Sequence, residues 1–302
     1  MKVPPRDLPP GQRCQIWVHD IRTRKNSPLF ETGDLLLEAP NWALQGDALI
    51  LNGAGTLWRV PVDRTMLLPI ALTGVPPLNN DHVLDPHGAH IYVSAFDDWH
   101  IYRAPRVGGA AVRVTGTGTP EGMLHFLHGV SPDGQELAFV GVRADFTETG
   151  FRFRSAEICT LGADGQGFTQ ITSGGAAADG PEYSPDGQWL YFNTETFSGH
   201  AQIARMRPDG SGVERLSNAT TVDWFPHLSP DGRTAVYLAY PPRTQGHPEN
   251  KWVELKVVRG GDWAGAVTVA RLFGGQGTIN VNSWSPDNAR FAYVAYPTEQ
   301  GN

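Results

Sequence analysis

Histidine is the side chain of this sequence best suited to chemistry, because its imidazole exchanges protons and binds metals near neutral pH. The 302-residue chain contains ten histidines. Imidazole nitrogens together with a carboxylate oxygen form typical ligand sets for Zn²⁺ or Mn²⁺. We therefore predict a divalent metal, Zn or Mn, with Asp223 as its carboxylate ligand. The predicted metal-binding histidines are His100, His125, His200 and His247.

Spacing limits which of these side chains can meet. His125 and His128 lie three residues apart on one predicted strand, so their side chains point to opposite faces of the sheet. We expect His125 to face the site and His128 to pack in the core. Asp223 and His227 share a face but lie about 13 Å apart at ~3.3 Å per residue. A metal site must therefore take one ligand from each of several repeats.

Other polar and aromatic side chains could hold a ligand without any chemistry. Indole rings stack on flat apolar ligand faces such as those of sugars, and guanidinium groups bind anions. The predicted ligand-binding residues are Asp98, Trp99, Arg152, Arg154, Glu182, Asp223, Trp224 and Asn280. A structural alternative stays open, in which the histidines bond to backbone groups and the two arginines belong to a packed loop.

A repeated turn must position these side chains. Ser229-Pro230-Asp231-Gly232 lies between two apolar runs, and serine, proline and glycine suit the first, second and fourth positions of a tight turn. The same unit occurs at 131–134 and 184–187, with the variants Asp85-Pro86-His87-Gly88 and Ser285-Pro286-Asp287-Asn288. The copies recur every 45 to 56 residues. A period of this length with several strands per unit indicates a β-propeller.

The runs between the turns predict four strands, a to d, in each unit, because apolar and β-branched residues alternate throughout. The last unit supplies only strands a and b, while the N-terminus supplies two runs that resemble strands c and d. We expect these ends to pair in one blade and close the ring, which removes exposed sheet edges. The prediction is an all-β, six-bladed β-propeller filling residues 1–302 as a single domain. Its predicted blades are 38–75, 76–117, 122–173, 177–218, 220–272, and 277–298 joined with 12–33.

The ring would bring distant residues together. Strand direction alternates within a blade, so the b–c loops lie on the face opposite the Pro-Asp-Gly turns. Loops on a rigid scaffold often carry function, and the mouth of a propeller channel is a natural concave site. The long polar b–c loops are predicted at 96–100, 143–154, 194–200 and 241–251.

Composition narrows the partners. The net charge of −7 and the absence of a basic stripe argue against nucleic acid. No stretch approaches the ~20 apolar residues of a membrane span. Cys14 and Cys159 fall about half a ring apart, so we expect two free thiols in a reducing compartment. With no apolar segment of a secretion signal at the N-terminus, we predict a cytoplasmic protein.

The repeated Ser-Pro-Asp-Gly turn, followed by an apolar strand and a later Asp-Gly turn such as Asp209-Gly210, resembles the WD40-like PD40 repeat. Over nearly the whole chain, the pattern is similar to the six-bladed propeller of the TolB family. The chain departs from that family in lacking a separate N-terminal domain and a secretion signal. A role beside a periplasmic lipoprotein is therefore not implied.

Three functions are compatible with this resemblance. The first is a binding protein that holds a small molecule, such as an oligosaccharide, or a peptide segment in the central funnel. The second is a metal-dependent carbohydrate-active enzyme resembling the oligogalacturonate lyases, which have a related propeller and a histidine-rich metal site. In that case His125 or His227 would act as the catalytic base. The third is a scaffold that binds protein partners through its rim loops.

Overall fold

The computed structural model describes residues 5–147 and 150–298. These residues are strands, turns and loops, and they contain no helix. No helical segment suited to crossing a membrane was found in the described part of the chain.

Six antiparallel sheets form the blades of a β-propeller, as the sequence predicts. Five blades have four strands, and a two-stranded parallel pair joins β7 to β11. The strands are β1 Cys14–Asp20, β2 Lys25–Thr32, β3 Glu38–Trp42, β4 Ala48–Gly53, β5 Thr56–Pro61, β6 Leu68–Ile70, β7 Leu72–Thr73, β8 Leu78–Leu84, β9 His90–Ala95, β10 Ile101–Pro105, β11 Gly109–Ala110, β12 Val112–Arg113, β13 Leu124–Val130, β14 Glu136–Thr147, β15 Gly150–Gly162, β16 Thr169–Gln170, β17 Ala178–Tyr183, β18 Leu190–Thr194, β19 Gln202–Met206, β20 Glu214–Arg215, β21 Val222–Leu228, β22 Thr234–Tyr240, β23 Lys251–Arg259, β24 Val267–Gly274 and β25 Arg290–Ala295.

The repeated turn is held by its own side chains. Ser229 Oγ donates to Asp231 Oδ1 at 2.6 Å and accepts from the backbone N–H of Thr234 at 3.0 Å. The fourth residue turns the chain with φ of 69° at Gly232 and 60° at Asn288. Asparagine tolerates this left-handed conformation better than most residues other than glycine. The Ser-Pro-Asp-Gly sequence is therefore a self-contained hairpin turn.

The two chain ends close the ring, which confirms the predicted arrangement. β1 pairs with β25 on one side, from Gln15 opposite Ala295 to Asp20 opposite Arg290, and with β2 on the other. Ile16 and Val294 belong to a buried cluster with residues of the next blade. The closing blade thus joins an N-terminal strand to a C-terminal strand through both hydrogen bonds and packing.

The inner segment of the closing blade is irregular. Residues 278–284 contribute only an isolated bridge between Trp284 and Phe291 rather than a full inner strand. The carbonyl of Asn280 accepts from His128 Nδ1 at 3.2 Å, and His128 lies on β13 in the opposite blade. The carbonyl of Ile279 accepts from His227 Nε2 at 2.5 Å. The segment therefore bridges the central channel and contacts the inner strands of two other blades.

The predicted loop at 143–154 is instead the end of a hairpin. Ala144 pairs with Phe153, and Asp145 pairs with Arg152, as β14 and β15 continue beyond the rest of their blade. Alternating aromatic and arginine residues favour an extended, two-faced strand. The sequence pattern therefore supports a long hairpin, and the prediction of a loop was wrong for the described part of this range.

Ring closure should depend on the buried side chains of β1. Ile16 is fully buried, and Ile16→Ala should lower the free energy of unfolding by about 2–5 kcal/mol because it leaves a cavity in the closing blade. Urea unfolding followed by tryptophan fluorescence measures the loss. Val112→Ala, at a position that is 60% exposed on β12, is the control and should change stability by less than about 0.5 kcal/mol. Equal effects of the two variants would contradict the role given to β1.

Candidate functional site

β-bulges in the inner strands aim polar side chains at the channel. The pairing register shifts between Asp179 and Glu182 on β17 and between Trp224 and His227 on β21. Gly180 at φ 64° and Phe225 at φ 54° take the left-handed conformation within these shifts. A bulge adds a residue to one strand and reverses which face the following side chains occupy. The side chains of the inner strands therefore do not simply alternate between the two faces of the sheet near the site.

A funnel cavity of about 600 Å³ opens above the segment that bridges the channel. Its volume is typical of small-molecule sites. The polar residues of its floor include Asn79, Asn80, Asp81, His128, Asp179, His247, Gln276 and Asn280. The aromatic residues of its wall are Phe96, Phe126, Phe153, Trp224 and Phe225. The cavity thus combines hydrogen-bonding groups below with ring faces and edges around the side.

Asp179 is the centre of the floor. Its Oδ1 accepts from the backbone N–H of Gly180 at 2.6 Å and lies 3.3 Å from His128 Nε2. Its Oδ2 lies 3.8 Å from His247 Nε2. The Nδ1 atom of His247 faces Gln276 Oε1 at 2.5 Å. Two imidazoles from different blades therefore face one carboxylate.

The ionisable groups of the floor shift one another's pKa values. Burial alone would lower the pKa of His128, but Asp81 and Asp179 outweigh it and raise the pKa to about 9. Burial raises the pKa of Asp81 to about 7, against the attraction of His128. Burial also opposes ionisation of Asp179, yet the bond from His128 holds its pKa below the usual range. Burial lowers the pKa of His247, against the attraction of Asp179, which favours the neutral form of this ring.

A second carboxylate–imidazole pair lies beneath the floor. His227 Nδ1 donates to Glu182 Oε2 at 2.6 Å, and the other ring nitrogen bonds the Ile279 carbonyl. Glu182 Oε1 accepts from Asn282 Nδ2 at 2.7 Å and from the N–H of Leu228 at 2.9 Å. Every polar atom of this pair has a partner, and neither residue lines the funnel cavity. The pair holds the bridging segment in place.

A larger side cavity of about 780 Å³ lies between the blades of β8–β12 and β13–β16. Asp98, Trp99, His100 and His125 line it, with Phe146 at its rim. The His100 and His125 rings stack at 5.4 Å, and His125 Nδ1 donates to the Trp99 carbonyl at 2.8 Å. His125 therefore faces the side cavity and His128 faces the funnel, the reverse of the predicted orientation.

The remaining predicted residues lie apart from one another. His200 bonds the carbonyls of Ser198 and Ala219 near the surface. Asp223 is buried away from the funnel, where its Oδ1 accepts from Thr221 Oγ1 at 2.8 Å. Arg154 lines the funnel and bonds Asp145 Oδ2 at 2.7 Å, whereas Arg152 is 82% exposed. Of the predicted ligand-binding set, Trp224, Arg154 and Asn280 meet at the funnel cavity.

The predicted metal ligands are not brought into one set. His247 lies in the funnel, His100 and His125 lie in the side cavity, and His200 lies near the surface. Within residues 5–147 and 150–298, no three His, Cys, Asp or Glu side chains form a group able to hold a metal ion. A bound divalent metal therefore stays a prediction from the sequence.

Several residues of the funnel were not among the predicted binding residues. Asp81 and Asp179 lie outside the predicted ligand-binding set, and His128 was expected in the core. The Asp179-Gly180 pair was an available signal, because glycine in a strand often marks a bulge. The left-handed Phe225 has no such signal, because bulky residues rarely adopt positive φ.

Comparison with known proteins places the chain among propellers. An uncharacterized protein of Agrobacterium fabrum is 38% identical over 290 residues, covering 95% of this chain and 93% of that protein. A solved structure from Agrobacterium tumefaciens, described provisionally as TolB, is 36% identical with a TM-score of 0.83 and covers 95% of this chain and 99% of its own. TolB from Acinetobacter baumannii shares the fold at 14% identity and a TM-score of 0.52, covering 98% of this chain and 66% of that one. No protein-family model matches the chain.

The raised pKa of Asp81 should make stability depend on pH. The folded state binds this proton more tightly than the unfolded state, so its stabilising effect is present at acid pH and is lost as pH rises from 3.8 to about 7. Asp81→Asn removes the cost of a buried anion above that range. We expect the Tm of the variant, relative to the native protein, to rise by at least about 2 °C between pH 5 and pH 8.5.

Differential scanning fluorimetry across this pH range measures the change. Asp209→Asn is the control, because Asp209 lies in an exposed turn where its pKa is lowered by Ser211. Its Tm difference from the native protein should stay constant between pH 5 and pH 8.5. A constant difference for Asp81→Asn as well would show that Asp81 does not titrate in this range.

Proposed function

We propose, from the premise that the chain belongs to the TolB-like family of six-bladed β-propellers, that it is a binding module for a small polar ligand. The observation that carries this proposal is the funnel cavity, which joins a polar floor to an aromatic wall above the segment that bridges the channel. A cavity of about 600 Å³ can hold a ligand of a few rings. The ligand enters from the open face and stops at Asn280.

The chemistry of the lining favours a ligand with several polar groups on a flat apolar skeleton. Amide side chains such as Asn79 and Gln276 both donate and accept hydrogen bonds. Aromatic rings such as Phe126 and Trp224 offer stacking surface to the apolar face of a ring. Oligosaccharides have this combination of hydroxyl groups and C–H faces. An oligosaccharide therefore fits the lining better than an extended peptide does.

Binding without chemistry fits the placement of the histidines better than the alternative, a metal-dependent carbohydrate-active enzyme of the oligogalacturonate lyase type. A general base must reach the proton that it removes. His227 has both ring nitrogens bonded beneath the floor, and His125 lines the side cavity. Neither candidate base reaches a molecule bound in the funnel.

A protein partner is a second candidate function, favoured by the projecting hairpin of β14 and β15. β15 pairs with β16 at Cys159 and Thr160, and within the described part of the chain no strand is assigned to the outer edge of residues 154–157. Free strand edges accept extended peptides by backbone pairing.

We also propose a cytoplasmic location, supported by the two buried, unpaired thiols.

The hairpin provides a matched pair of variants that locates the binding site. Phe153 lines the funnel cavity and is 58% exposed, whereas Phe146 lines the side cavity and is 50% exposed. For a ligand found by thermal-shift screening of mono- and oligosaccharides, Phe153→Ala should weaken binding about 2- to 10-fold through lost stacking. Phe146→Ala should leave the affinity unchanged. Isothermal titration calorimetry measures both.

Weaker binding by Phe146→Ala with unchanged binding by Phe153→Ala would place the ligand in the side cavity instead. If neither variant changes the affinity, the ligand contacts neither cavity at these rings, and the proposal of funnel binding fails. Circular dichroism and Tm measurements confirm that both variants fold like the native protein.

A further inference from the structure

Two acceptor atoms face each other on the floor of the funnel cavity. Asp179 Oδ2 and His247 Nε2 lie 3.8 Å apart, on different blades. Among the described residues, no donor lies within hydrogen-bonding distance of either atom. Both side chains are partly exposed, 18% for Asp179 and 30% for His247, so a molecule bound in the cavity can reach them. A donor placed between the two atoms can bond both.

The protonation of His247 follows from its other ring nitrogen. Nδ1 faces Gln276 Oε1, and the same oxygen accepts from Asn280 Nδ2 at 3.1 Å. This second contact identifies the Gln276 atom as the oxygen, so Nδ1 must carry the proton. In the neutral ring, Nε2 then has a lone pair directed away from Gln276. His247 is thus presented as an acceptor.

Asp179 has only one of its two oxygens occupied. Oδ1 accepts from the N–H of Gly180 and faces the protonated His128. Oδ2 lies beside the lone pair of His247. A carboxylate prefers two or more donors, and a charged donor bonds it most strongly. The second oxygen therefore favours a positively charged donor.

The charge of the floor is compatible with one more cation. Three carboxylates, Glu38, Asp81 and Asp179, lie close enough to influence one another. Two cations lie beside these carboxylates. His128 Nε2 lies 3.3 Å from Asp179 Oδ1, and Arg6 Nη1 donates to Glu38 Oε1 at 2.5 Å. The wall suits a cation as well, because aromatic rings attract positive charge. The Trp224 and Phe225 ring centroids lie 4.4 and 5.2 Å from that of His247.

We propose that the ligand of the funnel cavity carries a primary ammonium group, which donates one hydrogen bond to Asp179 Oδ2 and a second to His247 Nε2. A nitrogen about 2.8 Å from each acceptor spans their separation. A hydroxyl group has one proton and cannot donate to both, and a quaternary ammonium group has none. This inference rests on the proposed ligand-binding function and specifies its substrate class as amines, such as an amino sugar.

Matched sugars test the inference on the native protein at pH 7.5. The probes are glucosamine, glucose and N-acetylglucosamine, together with n-butylamine and 1-butanol, and the readout is ligand-observed NMR with titration. We expect glucosamine to bind at least about tenfold more tightly than glucose or N-acetylglucosamine, and n-butylamine more tightly than 1-butanol. Asp179→Asn should remove this preference. Glu195→Gln, which changes another carboxylate of the same cavity, should retain it.

The outcomes separate this inference from the proposed function. If neutral sugars bind as tightly as glucosamine, the binding function stands and the ammonium site is overturned. The probes are titrated to at least about a 20-fold excess over the protein, reaching millimolar concentration. If none of them binds there, both the ammonium site and the proposed binding function fail. If Zn²⁺ or Mn²⁺ alone binds and is lost in both Asp179→Asn and His247→Gln, the acceptor pair is a metal site and the inference is wrong. The comparison of probes on the native protein stands even if a variant does not fold.

Discussion

The site depends on the segment that crosses the central channel. Carbonyl groups of Ile279 and Asn280 leave the sheet and need donors, because buried backbone groups are rarely unpaired. His227 and His128 supply them from two other blades. These bonds convert an open channel into a funnel with a floor. They also orient His128, whose other nitrogen then faces Asp179.

Ring closure and the site are coupled because both chain ends contribute to each. β1 completes the closing blade beside β25, and the segment before β25 forms the floor. Arg6, ahead of β1, bonds both Glu38 and the carbonyl of Gln276. Gln276 in turn sets the proton of His247. Loosening the closure should therefore disturb the acceptor pair as well as the stability of the ring.

Turn chemistry and the alternation of apolar residues predicted the fold from the sequence. They did not predict the side-chain orientations that depend on contacts between blades. The Ser-Pro-Asp-Gly turns, the four-stranded blades and the pairing of the chain ends follow from turn chemistry and alternation. The orientations of His125 and His128 did not follow, because the register shifts between Leu127 and Gly129 on the same strand. The approach of Asp179 to His247 depends on two blades and a left-handed Phe225, which no local pattern indicates.

The funnel floor and the pair beneath it each place a carboxylate beside an imidazole, but at different distances. Glu182 and His227 are 2.6 Å apart and fully bonded, which suits a structural role. Asp179 and His247 remain 3.8 Å apart, with the Phe225 ring packed against both His247 and His128. A bulky residue at φ 54° costs about 1–3 kcal/mol. The strained backbone of Phe225 therefore presents a ring that packs against the imidazole carrying one of the two acceptors.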